Sequence, residues 1–506
     1  MKIFNQVALR KPKKSKFNLS HERKLTAKWG ALTPVLCKEV IPGESIDLST
    51  EMLIRLAPMK FPVMHMMNAY IHYFFVPNRI IWDEWEEFIT GGEDGLATPI
   101  LPYFESTSID GGATSVGSIW DNFGLPIMDG TATASDKINA LPFRAYQEIY
   151  NTYFRSQDLC DKVIFPKTSG QVGSSAAGEL TKTRYRSWER DYFTSCLPEA
   201  QKGGEVLLPM EADIVYKQWS DVIGEAGNSG TLQSTNQSTE NLRVGGTTYK
   251  ARIENIDTIE NASTTINELR NAVRLQEWLE KNARAGSRYI ESILAHFGVR
   301  SSDARLQRPE YLGGTKQAIR VSEVLQTYEG TDPLGKMGGH GISVGNSGRI
   351  RRNFEEHGYI IALMSIIPKT SYSQGIPKTF LRQTKFDYAF PEFAQLGEQS
   401  VLNKELYYNP TDKVYNDGTF GYIPRYSEYK FMPSVVSGQF RTTLASWHLG
   451  RIFQNAPVLN EEFLESSKAR NDIFNVTDEN EDKFFIQLFH NITAVLPLPY
   501  FGTPTL

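Results

Sequence analysis

Cysteine is scarce in this chain of 506 residues: Cys37, Cys160 and Cys196 are odd in number and far apart. None belongs to a C-x-x-C pair, which argues against a zinc site and a disulfide framework and leaves reduced, mostly buried thiols. The eight histidines show no H-E-x-x-H or other ligand spacing, so neither a metal site nor a cofactor is expected. Long apolar runs are missing too. The longest, around 359–367, is about half of the ~20 residues that a membrane helix needs. No apolar run follows the first basic residues, as a secretory signal would require. The expectation is a soluble protein made in a cytoplasm, with no membrane insertion.

Catalytic patterns are absent as well. Gly330-Thr-Asp-Pro-Leu-Gly-Lys-Met337 fits most of a phosphate-binding loop, but Met337 stands where a hydroxyl residue would hold magnesium. It reads as a glycine-rich loop. Asp478-Glu-Asn-Glu-Asp482 lacks the glycine and the distal chelating Glu of a calcium loop, so it reads as a solvated acidic turn. Trp82-Asp-Glu-Trp-Glu-Glu-Phe88 sets carboxylates beside aromatics, yet one short helix cannot oppose two carboxyls across a sugar. Ser195 has no G-x-S-x-G elbow around it. His490, on the otherwise apolar face of its segment, fits a hydrogen-bonded core residue better than a ligand. The chain is not expected to be an enzyme.

What is present is β chemistry with elaborate loops. Aromatics make up 12% of the residues, and glycine and proline are plentiful. Residues 69–76 are aromatic and β-branched on both faces, as in a strand covered on both sides. In residues 484–496, Phe484, Ile486, Leu488, Ile492, Ala494 and Leu496 share one face at period two. Further strands are expected at 358–367 and 420–432. Gaps of tens of residues between them suit a β-sandwich whose loops have grown. Helices are expected from Pro142 onward, with Phe143, Tyr146, Ile149, Tyr150, Tyr153 and Phe154 at helical spacing. Another is expected over 265–298, opened by the capping box Thr265-Ile-Asn-Glu268, broken near Gly286 and stopped by Gly298. The tract 224–248 is rich in Ser, Thr, Asn, Gln and Gly and reads as a surface loop or a disordered one.

Charge is unevenly placed. Residues 1–28 hold nine Lys or Arg and one acid, a net of +8, which leaves 45 basic against 57 acidic residues in the remainder. Residues 1–30 read as an extended basic arm, with 31–506 as the body. Arg10, Lys11, Lys13, Lys14, Lys16, Arg23 and Lys24 are the candidate nucleic-acid contacts, because clustered cations neutralise phosphates and release counterions without regard to sequence. Phe4, Phe17 and Trp29 could stack on unpaired bases.

Five phrases then point to a family. They are Asn18-Leu-Ser-His-Glu-Arg-Lys-Leu-Thr26, Pro34-Val-Leu-Cys-Lys-Glu-Val-Ile-Pro-Gly43, Val76-Pro-Asn-Arg-Ile-Ile-Trp-Asp-Glu-Trp85, Asp191-Tyr-Phe-Thr-Ser-Cys-Leu-Pro198 and Arg305-Leu-Gln-Arg-Pro-Glu-Tyr-Leu-Gly-Gly314. Together they resemble the major capsid protein of the microviruses, small single-stranded-DNA bacteriophages, and most closely its gokushovirus branch. Glu199 and Ala200 depart from the Trp and Pro usual there.

The resemblance implies a mainly β fold, an eight-stranded viral jelly-roll β-sandwich with long inserted loops and several helices. It implies a T=1 icosahedral shell built from pentamers around a circular single-stranded DNA genome, assembled in the cytoplasm of a bacterial host. Implied partners are further copies of the chain, that DNA, small DNA-binding, scaffolding and pilot proteins of the phage, and a host receptor. Residues 211–261 would be the family's surface insertion near the threefold axes, with Asn228, Gln233, Asn236 and Asn241 as candidate host contacts. The rival readings are a host-attachment or carbohydrate-binding β-sandwich and a β-sandwich glycoside hydrolase. Neither needs a basic arm.

Overall fold

The computed structural model describes residues 12–128, 136–204, 266–285, 288–298, 302–327, 335–476 and 481–501, with a few isolated positions between them. The chain divides into two units, residues 201–284 and all the rest. In the smaller unit a helix spans Ile266–Ala285. In the larger, a helix at Tyr289–Phe297 ends at Gly298, whose φ of +68° suits glycine.

The larger unit is organised by one antiparallel sheet of ten strands. In chain order these are β1 (Ser15–Asn18), β2 (His21–Ala27), β3 (Thr33–Val40), β4 (Ser45–Leu56), β5 (Met67–Pro77), β6 (Glu310–Leu325), β7 (Met337–Asn346), β8 (Ile350–Asn353), β9 (Gly358–Pro368) and β10 (Phe484–Leu496). Their spatial order is β1-β10-β4-β7-β6-β5-β9-β3, with β2 also on β10 and β8 on β4. β1 and β2 lie in tandem along one side of β10, facing 493–496 and 484–490 respectively. β6 serves both halves of the sheet: 310–319 pair with β5 and 320–325 with β7.

Chain length forces this sheet to curl. From β2 to β3 a flat sheet of eight strands would measure about 34 Å at ~4.8 Å per strand. The six steps from Ala27 to Thr33 reach at most about 21 Å when fully extended. The two edges must therefore approach each other, and they do. Arg23 of β2 donates from Nη1 to the Val35 carbonyl of β3 at 3.3 Å. His490 of β10 reaches the same oxygen through Nε2 at 2.9 Å.

Burial follows the period of two. In β10, Phe484, Ile486, Leu488, His490, Ile492 and Ala494 point into the curl while the intervening residues face outward. β5 and β9 are buried on both faces, as their unbroken apolar runs require. Ile71, Tyr73, Ile360 and Ala362 enter the core inside the curl, and Phe74, Val76, Ile361 and Leu363 enter a second core behind it. The helix Leu141–Ile149 lies over that second core, with Phe143, Tyr146 and Ile149 buried in it. Met337, the last residue of the glycine-rich phrase, begins strand β7; 330–334 lie outside the described residues.

One expectation changes. Residues 15–18 and 21–27 belong to the sheet and not to a free arm, with Ala27 and Trp29 in the core. Their strand pattern is hard to see because an edge strand buries little: in β2, charged and polar side chains alternate with Leu25 and Ala27. Trp29 is packed edge-on against Phe484 at 4.6 Å, so it is not free to stack on a base.

Candidate functional site

The described part of the basic segment runs along an open edge. β1 and β2 are joined at Leu19-Ser20, where the ladder continues through a side chain: Ile492 N donates to Ser20 Oγ at 3.0 Å, and Leu19 N to the Ile492 carbonyl at 2.8 Å. Ser20 is held in turn by Asn18 Oδ1, which accepts from its hydroxyl at 2.6 Å.

Alternation then decides what each cation does. Lys16 faces Val495 and Lys24 faces Gln487, both on the outward face, and both are exposed. Arg23 faces Leu488 and points inward. Its guanidinium donates to the Val35 carbonyl and to the Asn122 carbonyl. Burial lowers its pKa from the ordinary value, with Cys37 and Asp121 opposing that shift. Arg23 therefore ties the two sheet edges together and is not available to a phosphate. Its sequence neighbour Lys24 is, apart from a 3.6 Å approach to Glu22.

At the end of the edge, Lys13, Lys14 and Lys16 are exposed, and Lys14 Nζ donates to the Gly43 carbonyl at 2.6 Å. On the other face of β1 from Lys16, the Phe17 ring stacks on Tyr500 at 5.7 Å between centroids and 7° between planes, and Phe501 meets Tyr500 edge-on at 4.9 Å. Tyr500 and Phe501 escape a reading of the N-terminal segment alone, since 483 residues separate Phe17 from Tyr500. On the outward face, Arg55 and Phe485 sit directly opposite each other and flank a groove of about 710 Å³ that Lys24 also lines.

Not every candidate can be placed. Arg10, Lys11, Asn228, Asn236 and Asn241 lie outside the described residues, as does Phe4, and Gln233 is placed only as backbone in a two-residue strand, Leu232–Gln233.

The histidine singled out on β10 is fully buried. Tyr73 donates its hydroxyl proton to Thr50 Oγ1 at 2.7 Å, and Thr50 Oγ1 lies 2.9 Å from His490 Nδ1. With Nε2 donating to Val35, this chain of hydrogen bonds links β5, β4, β10 and β3. Burial brings the His490 pKa down to about 4, so the ring is neutral at pH 7 and needs no partner charge. Among the described residues no group of three His, Cys, Asp or Glu could hold a metal ion, and none of the helices is long and apolar enough to cross a membrane.

The phrase around Asp191 is structural. Asp191 Oδ1 accepts from the backbone N–H of Phe193 and Thr194, and Oδ2 accepts from Tyr372 at 2.7 Å. Tyr192, Phe193 and Cys196 then anchor a third core with Val401, Leu406 and Phe463.

Comparison with known proteins places this architecture. The family model described as capsid protein (F protein) matches residues 5–506. Capsid protein VP1 of Chlamydia phage 1 is 34% identical, over 99% of this chain and 97% of the relative. That of Bdellovibrio phage phiMH2K is 36% identical, over 97% and 95%, and that of Spiroplasma virus 4 is 29% identical over the same shares. A curled antiparallel sheet with added helices, matched along its whole length to structural and non-enzymatic coat proteins, places this chain in the microvirus capsid protein family, as the major protein of a virion shell.

Proposed function

We propose that the chain folds as an eight-stranded jelly roll and self-associates into a small icosahedral shell around circular single-stranded DNA. The basic segment would touch that DNA from inside, and the polar insertion 211–261 would project outside.

The jelly-roll reading is supported by how short connections cross between halves of the sheet. Taking β1 and β2 as one edge strand, β10, β4 and β7 complete one layer, and β6, β5, β9 and β3 the other. Only residues 41–44 separate β3 from β4, and only 354–357 separate β8 from β9, yet each connection links the two layers. Strands that alternate between layers in this way make a sandwich.

The observation that carries the DNA reading is the run of exposed Lys13, Lys14 and Lys16 along the open edge, with Phe17 stacked on Tyr500 on the other face of β1 from Lys16. Cations offset phosphates, and rings provide a face for any base. The outward face adds Lys24, Arg55 and Phe485. The polar composition of the insertion supports exposure to solvent and leaves Asn228, Gln233, Asn236 and Asn241 as its proposed contacts with a host.

The test is sedimentation of the expressed chain with and without nuclease, together with the absorbance ratio of nucleic acid to protein. Uniform particles holding nuclease-protected DNA are expected, and a strict monomer free of nucleic acid would sink the proposal. A chain lacking residues 2–13 and carrying Lys14→Ala, Lys16→Ala and Lys24→Ala should stay folded and lose salt-sensitive affinity for single-stranded DNA. For every phosphate that the shortened chain no longer neutralises, the slope of log affinity against log salt should become shallower by about 0.7. Unchanged affinity and slope would remove the segment from the interface.

A further inference from the structure

Between the third core and the loops that follow β9 lies a pocket of about 280 Å³ that neither the shell nor the DNA reading uses. Its floor is aromatic. Tyr192, Phe193 and Tyr372 are buried there, with Phe193 edge-on to Tyr192 at 5.1 Å and to Tyr372 at 4.8 Å between centroids. Its walls are two irregular stretches, the turn Lys378–Phe380 and residues 431–435, stiffened by Pro377 and Pro433. Backbone bonds hold the second stretch on the floor: Tyr372 N donates to the Ser434 carbonyl at 2.9 Å, and Val436 N to the Tyr372 carbonyl at 3.0 Å. Gly375 closes one side, where any Cβ would collide with the Glu405 carbonyl oxygen. The shape is therefore built before any ligand arrives.

Four charged side chains line the pocket, and each already has a partner. Lys378 Nζ donates to the Ser400 carbonyl at 2.9 Å and to Glu405 Oε1 at 3.2 Å. Glu405 Oε2 accepts from the Tyr192 hydroxyl at 2.9 Å, and Glu428 Oε2 accepts from Gln399 Nε2 at 2.7 Å. Arg441, at the exposed rim, donates from Nε to the Val436 carbonyl at 2.9 Å. Burial raises the pKa of Tyr192 and of Tyr372, so both floor hydroxyls stay protonated at pH 7. A charged ligand would give up its hydration inside and meet groups whose charge is already spent.

The rim is apolar. Phe380 is 80% exposed and Met432 87%, and Val435 is more than half exposed. Large apolar side chains held in water around a concave aromatic site are the arrangement of a binding pocket. At ~30 Å³ per water molecule the space would take about nine, which corresponds to a ligand of roughly nine non-hydrogen atoms. Rings on the floor and in the walls offer both faces and edges to another ring.

We propose that this pocket binds one uncharged aromatic group of about the size of indole, supplied from outside the chain. The proposal stands apart from the shell and DNA readings and does not rest on them. Two sources share that chemistry: a free small aromatic molecule, and an aromatic side chain presented by another protein.

Equilibrium dialysis of the full-length chain against indole, read in the protein-free compartment, tests this. One saturable site per chain is expected, with a melting temperature that rises with indole concentration. Benzoate and benzamidine, rings of similar size that carry a charge, should bind at least tenfold more weakly. Phe380→Ala and Val435→Trp alter exposed side chains and should leave the melting temperature of the ligand-free chain within about 2 °C. Each should weaken indole binding at least tenfold, whereas Val414→Ala, exposed and not part of the lining, should leave it unchanged. N-acetyltryptophanamide carries the same ring on a peptide backbone. An affinity within tenfold of indole assigns the ring to a protein partner, and a weaker one assigns it to a free molecule. Absence of a saturable site for either compound, unchanged binding in both pocket variants, or a charged ring bound as tightly as indole overturns the proposal and leaves the shell reading standing.

Discussion

The two layers of the sheet use the same strand chemistry for different ends. β5 and β9 are covered on both faces, by the core inside the curl and by the helix Leu141–Ile149 with its neighbours outside. β10 and β4 are covered on one face only, and the other shows Phe485, Gln487 and Arg55 to solvent. One layer is interior scaffold, and the other presents a surface on which partners can act. In an edge strand such as β2, one step along the chain separates a residue that holds the fold from one available to bind.

The comparison breaks most visibly in the covered layer. Ile361 is fully buried in β9, and Ile361→Ala should cost about 2–5 kcal/mol through the apolar burial it removes and the cavity it leaves behind. Phe485→Ala on the open face should cost under about 1 kcal/mol. Chemical denaturation of both variants measures the contrast, and equal losses would deny that the layers differ.

Acid should come next. His490 is neutral in the fold, with a pKa near 4 against about 6.5 when unfolded. Between those values the unfolded chain binds the extra proton, so stability falls as pH drops from about 6.5 toward 4. The contribution of this one group reaches about 3 kcal/mol, at 1.36 kcal/mol per pH unit. Denaturation midpoints at pH 7 and pH 4.5 should lie closer together in a His490→Gln variant than in the wild type, the remaining gap being carried by His65 and His72, which burial likewise brings down to about 4. A wild-type midpoint that does not change with pH would contradict the buried neutral ring.

The smallest and sharpest contrast is between neighbours. Arg23→Ala removes the link from β2 to Val35 and Asn122 and should cost about 1–3 kcal/mol with little change in DNA affinity. Lys24→Ala should leave the melting temperature within about 1 °C and weaken single-stranded DNA binding by one phosphate contact. If the two variants behave alike, alternation along β2 does not govern their roles.

Much of the scaffold was legible from residues alone. Apolar residues at every second position of 484–496 define a strand with one dry face, and the position of His490 on that face marks it for hydrogen bonding in the core. The unbroken apolar run of 358–367 belongs to a strand covered twice. The aromatic spacing after Pro142 places a helix, observed at Leu141–Ile149 and continued by a wider turn at Tyr150–Phe154. The candidate site was less legible. Arg23 and Lys24 look equivalent as cations, and Tyr500 lies too far from Phe17 in the chain to be paired with it.

Local pattern settles which side of a strand is dry, because side chains alternate and each residue carries its own transfer free energy. It says nothing about which strands become neighbours. Backbone hydrogen bonds are alike at every position, so pairing 21–27 with 484–490 is decided by the packing of the whole core and by the short link that brings two sheet edges together. That decision turned a stretch of basic sequence into one structural arginine and a row of exposed lysines.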